Sequence, residues 1–364
     1  MKTESGRKYL LIFGLTFFCL AAGIAMLNWW VDPLQFYRKA DYPAYLIKEK
    51  RFQYPSLARN YDYDSVVIGT SVSENFVPSL LQERLRWKSL NLSMPGASAR
   101  EQYLILQVAL RTGRVKNVLW DLNLEYLGGS GDWVSDYDGA FPDYLYDENP
   151  WNDINNYLLN LDTAKGSLKV LLKRAGLPAY RERTVEELFS TVEGKHGREM
   201  VWAAWERRPG GRGTQQFEER VRGLTKENVV RNFDRYFVAS AVQNSKTHFS
   251  IYLPPITPAY FSKIKSVSTE AFEALIALRQ RALEAASENE NISVYDFQTG
   301  YDVLISVDNY RDLVHFDRVV NEYIVTAVGG GSDHLQVSDL EYFKQFLSDD
   351  YLAEWLALDG AKKK

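Results

Sequence analysis

A stretch of 23 residues without a charge near the start of the chain, Tyr9 to Val31, constrains the fold more than any other feature. About 20 apolar residues in a helix cross the hydrocarbon core of a bilayer, so this stretch predicts a transmembrane helix. Arg7 and Lys8 precede it, and Trp29 and Trp30 lie at its far end. Because basic residues stay in the cytoplasm and indole rings favour the headgroup region, we expect the rest of the chain outside the cytoplasm.

A cleaved signal peptide is the alternative interpretation of this stretch. The apolar region of a signal peptide usually has about 7–15 residues, and no small-x-small cleavage site precedes Asp32 here. We therefore expect an uncleaved, single-pass anchor in a bacterial-type inner membrane, with the following domain periplasmic or extracellular. The single cysteine, Cys19, lies inside the span, so the external domain is expected to fold without disulfides.

Composition narrows the function classes. With 364 residues, of which 46% are hydrophobic, the chain can bury a substantial core. A net charge of -4 argues against a nucleic-acid-binding protein, which would show a basic surface. The chain has no His-x-x-x-His, and the acidic cluster at Asp132, Asp136 and Asp138 lacks the Gly and Glu of a calcium loop. We expect neither a metal nor a cofactor.

Short β-branched runs alternate with amphipathic stretches outside the apolar segment, which predicts a parallel sheet covered by helices on both faces. The predicted strands lie at 65–69, 89–92, 115–122, 248–253 and 292–297. The predicted helices of this domain lie at 78–86, 99–111, 268–287, 316–328 and 338–358. The fold class is thus a three-layer α/β/α arrangement of flavodoxin type with one membrane helix.

The alternation stops in the middle of the chain, where helix-like segments occur without clear strands. We interpret this part as a mostly helical insertion that caps the sheet. The predicted organisation is a cytoplasmic tail at 1–8, an anchor at 9–31, a connector at 32–61, an α/β domain formed by 62–126 and 244–364, and the insertion at 127–243.

Two motifs carry chemistry. Ser71 closes a Gly-Thr-Ser turn after the first predicted strand, and Asp312 stands three residues before His315 near the other end of the domain. A nucleophilic serine needs a base, and the base needs a third group that orients it. Taken alone, Ser71 would be an ordinary turn residue, and Asp312 and His315 would cap the next helix. Their ordered occurrence favours catalysis, with His334 as a rival base.

Together with Gly96 after the second strand and Asn123 after the third, these residues resemble the SGNH/GDSL hydrolase superfamily. The resemblance implies that Ser71 is the nucleophile, His315 the general base and Asp312 its orienting carboxylate. It also implies an oxyanion hole formed by the N–H groups of Ser71 and Gly96 and the side-chain amide of Asn123.

The motifs depart from the family pattern at two places. Thr70 stands where the family often has Asp, and Asn123 lies in Asp-Leu-Asn-Leu-Glu rather than in Gly-x-Asn-Asp. Asp121 therefore competes with Asn123 for the third-block position.

The layout is similar to membrane-anchored members of the superfamily. These are the proteins of alginate and other polysaccharide O-acetylation systems and the D-alanine-transfer protein of teichoic-acid systems, which often share a Val-Asp-Pro run such as Val31-Asp32-Pro33. The resemblance implies a serine esterase or O-acyltransferase, with acetyl as the acyl group, that acts on an extracytoplasmic polysaccharide or cell-envelope glycan. A multi-pass membrane protein would be its acyl donor. The alternative, suggested by a Tyr- and Trp-rich insertion, is an inactive glycan-binding scaffold of such a system.

Overall fold

The computed structural model describes residues 2–188, 194–206, 212–298, 304 and 306–346. The strands are β1 (Ser65–Ile68), β2 (Ser89–Asn91), β3 (Asn117–Asp121), β4 (His248–Leu253) and β5 (Ile292–Asp296). The α-helices of the described residues are α1 (Lys2–Val31), α2 (Lys50–Asn60), α3 (Pro78–Leu85), α4 (Ala99–Leu110), α5 (Pro150–Asp153), α6 (Leu161–Arg174), α7 (Arg198–Glu206), α8 (Arg212–Arg222), α9 (Lys226–Phe233), α10 (Ala239–Gln243), α11 (Pro258–Val267), α12 (Glu270–Glu288), α13 (Arg318–Gly330) and α14 (Val337–Phe346).

The chain divides into two compact units. One consists of Met1–Tyr61 with Ala140–Leu188, and the other of Asp62–Gly139 with Phe189–Lys364. The predicted insertion at 127–243 is divided between the two units, and only its middle part, 140–188, belongs to the unit that contains the segment before the sheet. The connector at 32–61 is likewise part of a folded unit and contains α2.

The first unit contains α1, of which Gly6–Val31 is long and apolar enough to cross a membrane. The end of this helix is joined to the rest of its unit by Asn28. The Asn28 amide donates to the carbonyl oxygens of Leu158 (2.8 Å) and Asn160 (3.2 Å), and its oxygen accepts from Ser167 (2.9 Å). Since buried polar groups are costly to leave unpaired, these bonds hold α1 against the chain at 158–167.

Asp32 organises the chain directly after α1. Its Oδ2 accepts the N–H groups of Tyr37 (2.8 Å) and Arg38 (3.0 Å). Its Oδ1 accepts the Phe36 N–H (2.8 Å) and the Tyr157 hydroxyl (2.7 Å). The Val-Asp-Pro run is therefore a capped turn, in which one buried carboxylate satisfies four donors. A helix whose end carries such contacts is an integral part of its unit.

The second unit contains one parallel sheet with the strand order β2-β1-β3-β4-β5. This confirms the predicted α/β fold, and each strand lies within two residues of its predicted bounds. β1 is buried at all four positions, as expected of a strand covered on both faces. The chain leaves β1 toward β2 on one side and later returns to β3 on the other. Ligands bind outside the carboxyl ends of the strands at such a reversal.

The two faces of the sheet pack against different helices. On one face Val67 and Leu119 join a core with residues of α3 and α13, and on the other Trp120 stacks on Phe237 at 4.0 Å between centroids. The predicted helices of this unit are present with small shifts at their ends. Of the predicted helix at 338–358, α14 covers the first part, and 347–358 lies outside the described residues.

An ion pair without solvent contact stabilises the outer strand β5. Arg279 of α12 donates through Nε to Asp296 Oδ2 at 2.8 Å, and both side chains are almost completely buried. We expect Arg279→Ala to lower the free energy of unfolding by about 3–5 kcal/mol, because it leaves the Asp296 charge buried and unpaired.

Urea unfolding of the full chain in detergent micelles measures this loss. Arg318→Ala is the matched control, since Arg318 pairs with Glu322 at 2.8 Å but is exposed to 75%. Removing a surface pair costs under about 1 kcal/mol. Equal losses in the two variants would contradict the assigned role of the buried pair.

Candidate active site

Three predicted residues meet at the carboxyl edge of the sheet in a hydrogen-bonded relay. Ser71 Oγ lies 2.8 Å from His315 Nε2, and His315 Nδ1 lies 2.8 Å from Asp312 Oδ2. The residues are separated by 244 positions in the chain and are brought together by the sheet. Both distances are within the range of a nucleophile–base and a base–orienter hydrogen bond.

The charge of Asp312 decides the tautomer of His315. Burial raises the pKa of Asp312, but the bonds from the His315 ring, from its backbone N–H and from the Val314 N–H outweigh burial and lower the pKa to about 2. An ionised carboxylate is only an acceptor, so His315 Nδ1 carries a proton. Its Nε2 is then the acceptor for the Ser71 hydroxyl, which is the arrangement that a general base requires.

The Asp312–His315 loop is held by its own backbone. Asp312 Oδ1 accepts the N–H groups of Val314 and His315, each at 2.9 Å, which closes a turn around the carboxylate. The Leu313 carbonyl accepts both the N–H (3.0 Å) and the hydroxyl (2.9 Å) of Thr257, which follows β4. The loop is thus anchored to the chain that follows β4.

The nucleophile turn is built on a buried carboxylate. Asp121 Oδ2 accepts the N–H (3.2 Å) and the hydroxyl (2.9 Å) of Thr70 and the hydroxyl of Ser73 (2.9 Å). A Cβ on Gly69 would lie 2.4 Å from Ser73 Oγ and 2.5 Å from Asp121 Cβ, which no real structure tolerates. Glycine is required at this position because the strand end and the carboxylate approach each other so closely.

These contacts decide between the two candidates for the third-block position. Asp121 is fully buried, and burial raises its pKa to about 6, although the bonds from Thr70 and Ser73 lower it. Its Oδ2 accepts all three hydrogen bonds from the turn, and the whole side chain is buried beneath it, so Asp121 is not exposed to a ligand. Asp121 is a positioning residue for the turn that carries Ser71, and Asn123 remains the predicted donor.

Sequence reasoning missed two more residues under this turn. The Asn91 amide donates to the carbonyls of Ser73 (2.8 Å) and Phe76 (3.0 Å), and the Tyr252 hydroxyl lies 2.7 Å from Ser73 Oγ. Asn91 ends β2, which pairs with β1, and Tyr252 lies in β4, which is separated from β1 by β3. Strands on both sides of β1 therefore support its loop. The only signal available was a polar residue at the end of a buried strand.

The three predicted oxyanion donors share one property. Within the part of the chain that the structure describes, neither the N–H groups of Ser71 and Gly96 nor the side chain of Asn123 makes a hydrogen bond. Gly96 has a φ of +61°, which glycine adopts without strain. The loops that carry them are neighbours, since the Met94 N–H donates to the Gly69 carbonyl at 3.0 Å. The donors are therefore available to a ligand.

The other histidines serve elsewhere. His334 stacks on Tyr295 of β5 at 4.4 Å, three strand positions or about 14 Å from β1, so it is not a base for Ser71. His248 begins β4 and lies 3.1 Å from Ser293 Oγ. Across residues 2–188, 194–206, 212–298, 304 and 306–346, no three acidic, histidine or cysteine side chains form a group that could hold a metal ion.

Comparisons with known proteins add little. No family model matches the chain, and no curated protein matches it. Among solved structures, one described provisionally as a platelet activating factor from Streptococcus pneumonia matches with 12% identity over 85% of this chain and 96% of that chain, at a TM-score of 0.36. A similarity this low defines neither a fold nor an activity. The interpretation of the site therefore rests on the positions and contacts of its own residues.

Asp121→Asn tests the buried carboxylate by its pH dependence. The folded pKa of about 6 lies above the ordinary 3.8, so the stability that Asp121 contributes is complete below about pH 4 and is lost as the pH rises through 6. Asn keeps an acceptor for Thr70 and Ser73 and does not titrate. We expect the variant to lack this loss, which amounts to up to about 3 kcal/mol.

The measurement is urea unfolding of the full chain in detergent between pH 4 and pH 7. Asp308→Asn, at an exposed position, is the control and should follow the wild-type curve. If Asp121→Asn also runs parallel to the wild type, the raised pKa of Asp121 is wrong.

Proposed function

We propose that this protein is a membrane-anchored serine esterase or O-acyltransferase that moves an acetyl group on an extracytoplasmic polysaccharide or cell-envelope glycan. The observation that carries the proposal is the relay from Ser71 through His315 to Asp312, with two hydrogen bonds of 2.8 Å. A structural role for these residues would not require a serine hydroxyl directed at a histidine whose far nitrogen is held by an ionised carboxylate.

In the first half-reaction Ser71 Oγ attacks the acyl carbonyl carbon, and His315 Nε2 takes the hydroxyl proton. The carbonyl oxygen becomes an oxyanion, which the N–H groups of Ser71 and Gly96 and the Asn123 amide stabilise. Asp312 stays ionised and balances the charge of the imidazolium that forms. When the intermediate collapses, His315 returns the proton to the leaving oxygen and an acetyl ester remains on Ser71.

In the second half-reaction water or a sugar hydroxyl loses its proton to His315 and attacks the ester carbonyl. The C–O bond to Ser71 breaks, and His315 returns the proton to Ser71 Oγ. Water as the acceptor gives acetate, and a sugar hydroxyl gives an O-acetylated glycan. The same residues serve both outcomes, which differ only in the acceptor that occupies the site.

The anchor supports the location of this chemistry. Asn28 and Asp32 bind the end of α1 into its folded unit, which favours a retained helix over a cleaved signal peptide. Arg7 and Lys8 before the span favour an external position for the site. A cytoplasmic acyl group would then reach the site through a multi-pass membrane protein, which we propose as the donor.

Substitutions in the triad test the activity against the alternative of an inactive scaffold. We expect Ser71→Ala, His315→Ala and Asp312→Asn each to lower the kcat for an aryl acetate by roughly 10³–10⁴-fold. Asp312→Asn lowers kcat because an amide N–H would donate to His315 Nδ1. The ring proton would then move to Nε2, which could no longer accept the Ser71 proton.

The assay uses the full chain in detergent micelles and follows the release of the phenolate by absorbance. His334→Ala, which changes the other candidate base, should leave kcat as in the wild type. A fluorophosphonate should label wild type at Ser71 and should not label Ser71→Ala. Equal turnover in the wild type and the three triad variants would leave the scaffold as the correct interpretation.

A further inference from the structure

A cavity of about 650 Å³ opens beside the proposed oxyanion hole. Gly96 forms part of its wall, and a Cβ on Gly96 would point to the Ser135 hydroxyl (3.9 Å) and the Tyr126 hydroxyl (4.0 Å). The residue proposed to bind the oxyanion therefore also faces the cavity. A ligand there lies next to the reacting ester.

The size of the cavity indicates which part of the ester it holds. Small-molecule sites usually enclose about 300–1,000 Å³, and an acetyl group of two carbons would leave this one largely empty. The alcohol side of the ester, which is the sugar in either direction of the reaction, is the larger part. The cavity thus fits the sugar rather than the acyl group.

The wall combines flat apolar faces with hydroxyl groups. The rings of Trp133 and Tyr126 lie 5.9 Å apart at an angle of 32°, and Ser135 and Tyr137 contribute hydroxyls. Ser98, the N-cap of α4, donates to the Trp133 carbonyl at 2.7 Å and so fixes the backbone beneath the indole. A pyranose ring has the complementary chemistry, with C–H groups on its faces and hydroxyls at its rim.

The charges around the cavity disfavour an acidic sugar. Asp136 and Glu219 line it, and Arg220, the one cation in its described wall, lies 3.3 Å from the Glu125 carboxylate, so these groups comprise three carboxylates and one guanidinium. A uronate or phosphate would meet a negative wall, and like charges placed together are costly. We propose that this cavity binds an uncharged sugar residue of the glycan, with Trp133 as its stacking surface.

This proposal rests on the proposed function and is tested by binding rather than turnover. Ser71→Ala protein, full chain in detergent, is titrated calorimetrically with cello-, manno- and galacto-oligosaccharides and with oligomers of galacturonate and mannuronate. We expect at least one uncharged oligosaccharide to bind and the uronates not to bind. Adding Trp133→Ala should weaken the binding roughly tenfold, and Trp133→Phe should restore most of it.

A second arm tests the charge argument. Asp136→Asn with Glu219→Gln should allow the uronates to bind. Binding of uronates by the Ser71→Ala protein, no binding of any uncharged oligosaccharide, or a Kd unaffected by Trp133→Ala would each overturn the proposal. None of these results alters the aryl acetate assay, so a failure here is distinguishable from a failure of the triad.

A separate observation concerns the membrane. The chain at 150–161 exposes large apolar side chains next to α1: Trp151 is 75% exposed, Leu161 66%, Leu159 38% and Ile154 37%. Asn28, inside the apolar span, holds the carbonyls of Leu158 and Asn160 within this segment.

The geometry of α1 indicates how deep the segment 150–161 lies relative to the apolar span. Asn28 lies three residues before the end of α1, or about 4.5 Å along its axis, so the chain bonded to it lies beside the apolar span and not beyond it. Exposed apolar groups at that depth meet lipid rather than water. We infer that the side chains of Trp151, Ile154, Leu159 and Leu161 contact the outer leaflet beside α1, as a second membrane contact of the proposed anchor.

Site-specific labels test this contact in the full chain, reconstituted in phosphatidylcholine nanodiscs that contain a lipid with a doxyl quencher on its acyl chain. In the wild-type protein, a fluorophore attached to the native Cys19 reports on the apolar span itself. In a Cys19→Ser background, a fluorophore on Leu161→Cys reports on the segment and one on Glu182→Cys is the control. Glu182 is paired with Lys173 at the far end of α6, about 18 Å along the helix from Leu161.

We expect the labels at Cys19 and Leu161→Cys to be strongly quenched and the label at Glu182→Cys to be quenched little. A Leu161→Cys label that behaves like the control while Cys19 is quenched would overturn the inference and leave the span intact. An unquenched Cys19 would instead contradict the membrane span on which the inference rests.

Discussion

The carboxylate of Asp121 is the group on which the arrangement of the site depends. It lies at the end of β3, without solvent contact, and accepts hydrogen bonds from Thr70 and Ser73 on either side of Ser71. A buried acceptor with three donors is rigid, because any movement of the turn would leave a polar group unpaired. The position of the nucleophile is therefore determined by a neighbouring strand rather than by its own loop. Because Asp121 and Ser73 approach the backbone of residue 69 so closely, only glycine fits at that position.

His315, the proposed base, is likewise positioned by hydrogen bonds to a carboxylate, that of Asp312. Asp312 binds the backbone of its own loop with one oxygen and the His315 ring with the other, so one side chain fixes both the loop and the tautomer. Thr257 anchors the loop to the end of β4. Ser71 and His315 thus belong to two separately supported loops, whose 2.8 Å contact results from the spacing of the strands beneath them. Preorganisation of this kind is what electrostatic catalysis requires.

The strands could be predicted because most of them are short runs rich in apolar residues, as burial on both faces of a sheet requires. Ser71, Asp312 and His315 could be predicted because chemistry restricts which residue types act together and in what order. Asn91 and Tyr252 could not, since a polar residue in a strand gives no indication of which loop it will support. The division of residues 127–243 between two units could not be predicted for a related reason. Its middle part joins α1 through contacts such as those of Asn28 and Tyr157, and residues more than 120 positions apart leave no periodic signal.

By itself the sequence determined the apolar span, the parallel α/β fold and the three residues proposed as a triad, because hydrophobic periodicity and residue chemistry are local properties. Only the tertiary structure decided that Asp121 is buried beneath the turn of Ser71 and accepts its hydrogen bonds through Oδ2, and that Gly96 faces a cavity with an aromatic, acidic wall. It also decided that Trp151 and Leu161 lie exposed beside the end of the span. These outcomes depend on which distant segments share a hydrogen bond or a surface. That choice is made by the packing of the whole chain, in which most buried polar groups find a partner.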